Sequence, residues 1–284
     1  MKNNSKGILY VVGTPIGNLG DITYRAIETL KSVDIILAED TRNTLKLLTH
    51  FEIKKTLISY EKHSEQRKLN QVIEILNSGK NVALVSDAGM PLISDPGENL
   101  VKYLREHDYE IVIIPGVTAL ITGIVGSGID SSRFTFEGFL SVSKKQRISH
   151  LNSIKDETRT MIFYEAPHKL VYTLKDLYDI LGNRKICIAR ELTKIHEEFK
   201  LITISEAIDI IEQNGIKGEI VLIVEGKNQE EIDKKLLDEL NNISNIDLVK
   251  KYMNEGLNKK EAIKKVAKDK NINKNEVYKE CLDL

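Results

Sequence analysis

The chain has 284 residues, with 41 Lys+Arg against 42 Asp+Glu and a formal net charge of −1. Hydrophobic residues make up 41% and charged residues 29%, which excludes a disordered chain, poorer in Ile, Leu and Val and more lopsided in charge. The balance also argues against a surface coated in positive charge, and the length allows two domains, or one with an appendage.

Cys187 and Cys281 make no disulfide framework and match no zinc spacing, so a cytoplasmic, reducing location is expected. The stretch after Met1 carries no apolar run of a secretory signal. The longest apolar runs, such as Ile220 to Val224, are far too short to span a bilayer. Neither membrane association nor a metal site is expected.

Short apolar runs alternate with helix-period stretches. The spacing predicts strands over 8–12, 34–38, 56–60, 82–86 and 111–115, with helices over 23–31, 41–50, 64–78 and 97–107. Such alternation requires crossover connections and an α/β unit built on a parallel sheet, buried on both faces. Pro115-Gly116 marks the expected boundary, giving domains 1–115 and 116–228. In the second domain, strands at 134–137, 160–164, 185–190, 199–204 and 219–225 accompany helices at 117–125, 168–181 and 205–213. Several of these strands lack an intervening helix, so a mixed sheet is expected. Residues 229–284 contain no Arg, Pro or Phe and read as a helical extension. Helices at 247–253, 259–270 and 274–282, with tight turns between them, resemble a helix-turn-helix unit. Leu248, Tyr252, Leu257, Ala262, Ile263, Val266, Ala267, Ile272, Val277 and Tyr278 supply its apolar faces. Ten Lys face five acids over 247–279, a basic unit hidden by the neutral total.

Gly13-Thr14-Pro15-Ile16-Gly17-Asn18-Leu19-Gly20-Asp21 leaves the first strand. A small-residue loop at this sheet edge lets a ligand approach the backbone, although a plain strand-to-helix turn has the same composition. It lacks the spacing of a dinucleotide fingerprint and of a Walker loop. Ser86-Asp87-Ala88-Gly89-Met90-Pro91 and Ser94-Asp95-Pro96-Gly97 form a long second loop. Asp87 suits a ribose or amino group, and Asp95-Pro96 reads as a helix N-cap followed by Pro. Ala38-Glu39-Asp40-Thr41-Arg42 is either a helix N-terminus with its acids or a polar substrate rim with a phosphate-gripping Arg42. The six His are scattered, and no Gly-x-Ser-x-Gly elbow is present.

In this order the strings resemble one family closely: the bacterial small-subunit ribosomal RNA (cytidine-2′-O)-methyltransferases, within the tetrapyrrole methylase (class III) superfamily. Leu9 to Asp21, Ala38 to Arg42, Ser86 to Gly89, Phe136-Glu137-Gly138-Phe139-Leu140, Phe163 to His168, Ala189 to Lys194 and Gly218 to Leu222 carry the resemblance. It implies two α/β domains with S-adenosylmethionine in the cleft between them, and a homodimer. The cofactor contacts it implies are Gly13, Thr14, Pro15, Gly17, Asp87, Ala88, Gly89, Met90, Thr118, Ala119, Tyr164, Ala166, Leu192 and Gly218. Three positions depart from the family pattern: Met90 replaces Thr, Val117-Thr118 replaces Pro-Ser, and Ser141 replaces Pro. The implied reaction is methylation of a ribose 2′-hydroxyl in small-subunit ribosomal RNA, free or in the assembled subunit. Glu39, Asp40, Glu165 and Glu191 are candidate general bases. Arg25, Arg42, Lys144, Lys145, Arg147 and the lysines of the tail are candidate phosphate contacts. Two alternatives stay open: methylation of a small tetrapyrrole, and a non-catalytic ribosome-binding module.

Overall fold

The computed structural model describes residues 6–61, 65–282 and 284. They form two compact units. One takes in the residues up to Lys155 together with Arg159–Glu225; the other is Asp156–Thr158 with Gly226–Leu284.

The first unit holds both sheets. One sheet contains β1 (Leu9–Val12), β2 (Ile35–Ala38), β3 (Thr56–Ser59), β4 (Val82–Val85) and β5 (Ile111–Ile114). All pairs are parallel, in the order β3-β2-β4-β1-β5. Helices α1 (Tyr24–Ser32), α2 (Thr41–His50), α3 (Glu65–Asn77) and α4 (Glu98–Glu106) make the crossovers. Side-chain alternation sends Leu9, Val11 and Leu84 toward Leu76 and Leu100 on one face. Val12, Ala83 and Val85 face Leu30 and Leu48 on the other. With both faces covered, β1, β2, β4 and β5 are continuous apolar runs, while the edge strand β3 keeps polar ends at Thr56 and Ser59. β1 and β4 are neighbours whose chains leave toward opposite faces. The crevice at their carboxyl ends is where open α/β sheets bind ligands.

Pro115-Gly116 lies between β5 and α5 (Ala119–Gly126), where the chain passes to the second sheet. That sheet contains β6 (Phe134–Phe139), β7 (Thr160–Glu165), β8 (Lys185–Arg190), β9 (Glu198–Thr203) and β10 (Ile220–Val224), in the order β6-β7-β10-β8-β9. Only β6 and β7 pair in parallel, so the expected mixed pairing is present. α6 (Lys144–Ser153), α7 (Leu170–Leu181) and α8 (Ile204–Asn214) pack Leu151, Leu174 and Ala207 against one face. Ile124 of α5 joins Ile162, Val221 and Ile223 on the other.

Two expectations need correction. α6 was not foreseen, because it buries only Arg147 and Leu151 and so shows no apolar stripe. Asp95 does not hold the N-cap position of α4 but lies two residues ahead of it. The N-cap is Gly97 at φ 124, with no side-chain cap bond, and a Cβ there would meet Leu84 Cδ2 at 2.6 Å.

The second unit is helical: α9 (Gln229–Asn241), α10 (Asn245–Asn254), α11 (Lys259–Asp269) and α12 (Lys274–Glu280). α9 is an addition to the three helices read from spacing. Leu248, Val249, Ala262, Ile263, Val266 and Val277 form its core. Tyr278 was placed on the apolar face but is 53% exposed.

Candidate active site

The loops after β1 and β4 lock together. Thr14 and Gly89 exchange backbone hydrogen bonds of 2.9 and 3.0 Å. The buried Thr14 hydroxyl donates to Ser86 O at 3.2 Å. A Cβ on Gly13 would meet Met90 Sδ at 2.7 Å and Gly116 Cα at 2.8 Å. The ends of β1 and β5 therefore approach to a distance only glycine permits.

Beside these loops lies a cleft of about 450 Å³ between the two sheets. Asp87, Ala88, Gly89, Met90, Thr118, Ala119, Tyr164, Ala166, Leu192 and Gly218 line it. Gly13, Thr14 and Pro15 do not; they are buried behind the wall, and Ile16 is the residue of that loop that reaches the cleft. Gly17 packs instead against the Lys194 side chain. The near wall of the cleft is thus the β4 loop, braced from behind by the β1 loop.

Asp87 is held from α2: its Oδ1 accepts from Asp40 N at 3.1 Å, and its Oδ2 accepts from Asn43 Nδ2 at 2.9 Å. The Tyr164 hydroxyl accepts from Leu120 N at 3.2 Å, and burial pushes that phenol above its ordinary pKa. Thr118 is the N-cap of α5 and spends no side-chain bond on capping. At Gly218, φ is +93, and a Cβ would lie 2.5 Å from Glu191 Oε1.

The four candidate bases separate by their surroundings. Glu39 lines the cleft. Its carboxyl is raised above the ordinary glutamate value by burial, with the Asp87 N–H opposing and the Asp87 and Asp40 charges adding to the rise. Asp40 is the N-cap of α2 and takes two bonds from Arg42, at 3.1 and 2.7 Å. The Arg42 side chain and backbone bonds lower it to about 2. Glu165 is 3% exposed. It accepts from Ala166 N at 2.8 Å and Thr173 Oγ1 at 2.6 Å, and pairs with Lys169 at 2.9 Å. Glu191 accepts from Glu219 N at 2.8 Å and Lys194 Nζ at 3.0 Å; the backbone bond first, then Lys194, lowers its carboxyl. Asp40, Glu165 and Glu191 thus hold loops. Glu39 combines a place on the cleft wall with a raised pKa.

The basic candidates divide too. Arg25, Lys144 and Lys145 are exposed. The Arg42 side chain is 86% exposed while paired to Asp40. Arg147 is corrected: it is 9% exposed. Its Nε donates to Asp176 at 2.6 Å and its Nη1 to Ser141 O at 3.1 Å. A buried guanidinium spent on an ion pair and a turn does not reach RNA phosphate.

Ile93, Asp95, Phe139, Pro167, Glu219, Ile220 and Val221 also line the cleft, and sequence reasoning assigned none of them to it. Asp95 was read as a cap. Phe139 stands in a string that carried the resemblance, but only a β-bulge turns it inward.

The cleft and the two helix-covered sheets define an α/β protein built from one parallel and one mixed sheet. The architecture aligns with the crystal structure of the methyltransferase CobJ at a TM-score of 0.60 and 20% identity, covering 78% of this chain and 94% of that one. The chain belongs to the tetrapyrrole (corrin/porphyrin) methylase family, whose profile matches residues 8–208. It is 48% identical over 272 residues to Ribosomal RNA small subunit methyltransferase I of Bacillus subtilis, covering 96% of this chain and 93% of the relative. The Thermotoga maritima protein of the same name is 48% identical over 221 residues, covering 78% of this chain and 99% of its own length. About a fifth of this chain therefore has no counterpart in that relative.

Proposed function

We propose that the chain transfers a methyl group from S-adenosylmethionine to the ribose 2′-hydroxyl of a cytidine in small-subunit ribosomal RNA. The observation that carries this reading is the 48% identity over 96% of the chain to a relative named for that RNA. Fold likeness alone does not choose a substrate.

The cleft fits the cofactor's charge. Glu39, Asp87, Asp95, Glu165 and Glu219 line it, and no Lys, Arg or His does among the described lining residues. Such a wall favours a sulfonium and an ammonium and disfavours a carboxylate-rich tetrapyrrole. Asp87 and the backbone of Ala88 to Met90, Thr118 and Ala119, Tyr164 and Ala166, and Leu192 with Gly218 would hold the cofactor. The N-terminus of α5 at Ala119, next to the Leu120 N–H already given to the Tyr164 hydroxyl, suits its carboxylate. Bound there, the cofactor supplies an electrophilic methyl group.

The residues of the chain do the rest. Glu39 takes the proton of the ribose hydroxyl, a poor nucleophile while protonated. Its raised pKa brings it nearer the working pH and makes it a stronger base than an ordinary glutamate. The cleft walls orient the ribose, which contributes much of the rate by positioning. Arg25, Arg42, Lys144, Lys145 and the lysines of the tail meet phosphates outside the cleft. The helical tail at 229–284 acts as an RNA-binding extension to the domains 1–115 and 116–228. Exposed Ile121 and Val125 on α5 and Ile113 on the edge strand β5 support a homodimer, and the unpaired cysteines suit a cytoplasmic enzyme. The test is methyl transfer from labelled cofactor to small subunits that lack the mark, with the modified nucleotide mapped. Label on a ribose of cytidine supports the reading. Label on a base, or transfer to a tetrapyrrole alone, overturns it.

A further inference from the structure

β6 carries an irregularity with a consequence for the cleft. Its register with β7 runs Phe134↔Thr160 and Phe136↔Ile162, then shifts to Gly138↔Phe163 and Phe139↔Tyr164. The extra residue is Glu137. Without the bulge, strand alternation would send residue 139 to the face opposite Phe136. With it, Phe136 and Phe139 lie on one face, and both meet Tyr164 edge-on, at centroid distances of 4.9 and 5.5 Å.

The bulge is held by its own contacts. The Glu137 carboxylate bonds His150 Nε2 at 2.9 Å, and Gly138 adopts φ +66, a conformation that disfavours any side chain. Bulges of this kind re-aim side chains beside active sites. Here the re-aimed ring is left 56% exposed at the cleft, and Ile93, 40% exposed, lines the same cleft. Exposing a phenyl ring forgoes the stabilisation its burial would give. Tyr164 holds the ring edge-on and Lys169 Nζ lies 6.0 Å from its centroid, while more than half of the ring stays exposed.

We propose that Phe139 is the stacking platform for the base of the nucleotide being methylated. This rests on the RNA reading above. To bring a ribose hydroxyl into the cleft, the target nucleotide must leave its stack, and its base then needs a new π-face. Aromatic side chains supply that face to unstacked bases. The subsite takes an unpaired nucleobase.

The experiment compares wild type, Phe139→Ala, Phe139→Leu and Phe139→Tyr on small subunits lacking the mark, with calorimetry for S-adenosylmethionine alongside. Phe139→Ala is expected to lower kcat/KM for the subunit by about tenfold or more. Phe139→Leu stays low, because apolar bulk without a π-face does not restore stacking, and Phe139→Tyr recovers. Cofactor affinity falls by far less than kcat/KM for the subunit, because Phe139 meets Tyr164 edge-on only. The chain has no Trp, so Phe139→Trp introduces a single indole, whose emission is expected to be quenched on adding the unmarked subunit. An unchanged kcat/KM in Phe139→Ala, full rescue by Leu, or equal losses of cofactor and RNA binding would overturn the subsite while leaving the RNA reading intact. Failure of the wild type to methylate RNA removes both.

Discussion

Replacing Glu165 by Gln separates a carboxylate that builds the site from one that acts in it. Glu165 accepts two hydrogen bonds, from Ala166 N and Thr173 Oγ1, and pairs with Lys169 across 2.9 Å. The amide keeps one acceptor oxygen for Ala166 N, but its NH2 faces a hydroxyl that must reverse its role, and the ammonium loses its counter-charge. Removing one member of a buried pair costs about 3–5 kcal/mol. That figure is an upper bound here, because the Lys169 side chain is 19% exposed and its Nζ also reaches Leu140 O at 3.3 Å. A loss of about 2–3 kcal/mol is expected, which lowers the melting temperature by roughly 4–12 °C for a unit of this size.

Glu39→Gln is the matching control. Glu39 lines the cleft and, among the described residues, accepts only a long bond from Asp87 N, at 3.5 Å, which a Gln amide oxygen also accepts, so this variant keeps wild-type stability and loses turnover, by about a hundredfold or more. The sign of the pH effect follows from the raised pKa. The base works only when deprotonated, so activity falls as pH drops through a value above the ordinary glutamate range. The acid limb of the rate profile therefore sits above that range in wild type and disappears in Glu39→Gln. Thermal melts and single-turnover rates against pH measure both. A Glu165→Gln variant that melts like wild type but loses turnover, or a Glu39→Gln variant that keeps the acid limb, refutes the division.

Gly218→Ala should weaken cofactor binding about tenfold or more by calorimetry, because the new Cβ displaces the Glu191 carboxylate from Glu219 N and Lys194. Arg147→Ala should destabilise the first unit by about 3 kcal/mol in urea melts and leave the salt dependence of RNA binding unchanged; a shallower salt slope would restore Arg147 as a phosphate contact. Lys260→Gln/Lys264→Gln/Lys268→Gln should make the slope of log K against log salt shallower by about 2–3, with no loss of helicity by circular dichroism.

Both sheets were legible in the sequence because their inner strands, such as β4 and β10, are buried on both faces and read as unbroken apolar runs. β2 with the start of α2 read plainly, since Asp40 is both a chemical and a capping residue. What stayed hidden depends on contacts made across the chain. Glu39, Asp40, Glu165 and Glu191 look alike as acids near strand ends. Only the partners of each, such as Thr173 for Glu165 and Arg42 for Asp40, tell them apart. Arg147 reads like its neighbours Lys144 and Lys145 until Asp176 is brought beside it. Phe139 needed the bulge, a register shift that leaves no mark in composition.

The formal charge of −1 takes on meaning once the groups are located. Carboxylates line the cleft without a cationic side chain among its described lining residues. In the helical unit, three of the acids are committed to local structure: Asp247 bonds Ser244, Glu261 closes the capping box of α11, and Asp269 bonds the Tyr252 hydroxyl. Lys260, Lys264 and Lys268 lie four residues apart on α11 and are exposed. Like charges at that spacing cost a helix about 0.2–0.5 kcal/mol per pair. A stripe held at that cost, on a helix whose acid Glu261 caps its own N-terminus, suits a polyanion. The carboxylate wall of the cleft suits a small cation. The near-neutral sum hides both patches: the lysines of 247–279 are offset by acids flanking them within 229–284, and each patch matches one of the two substrates of the proposed reaction.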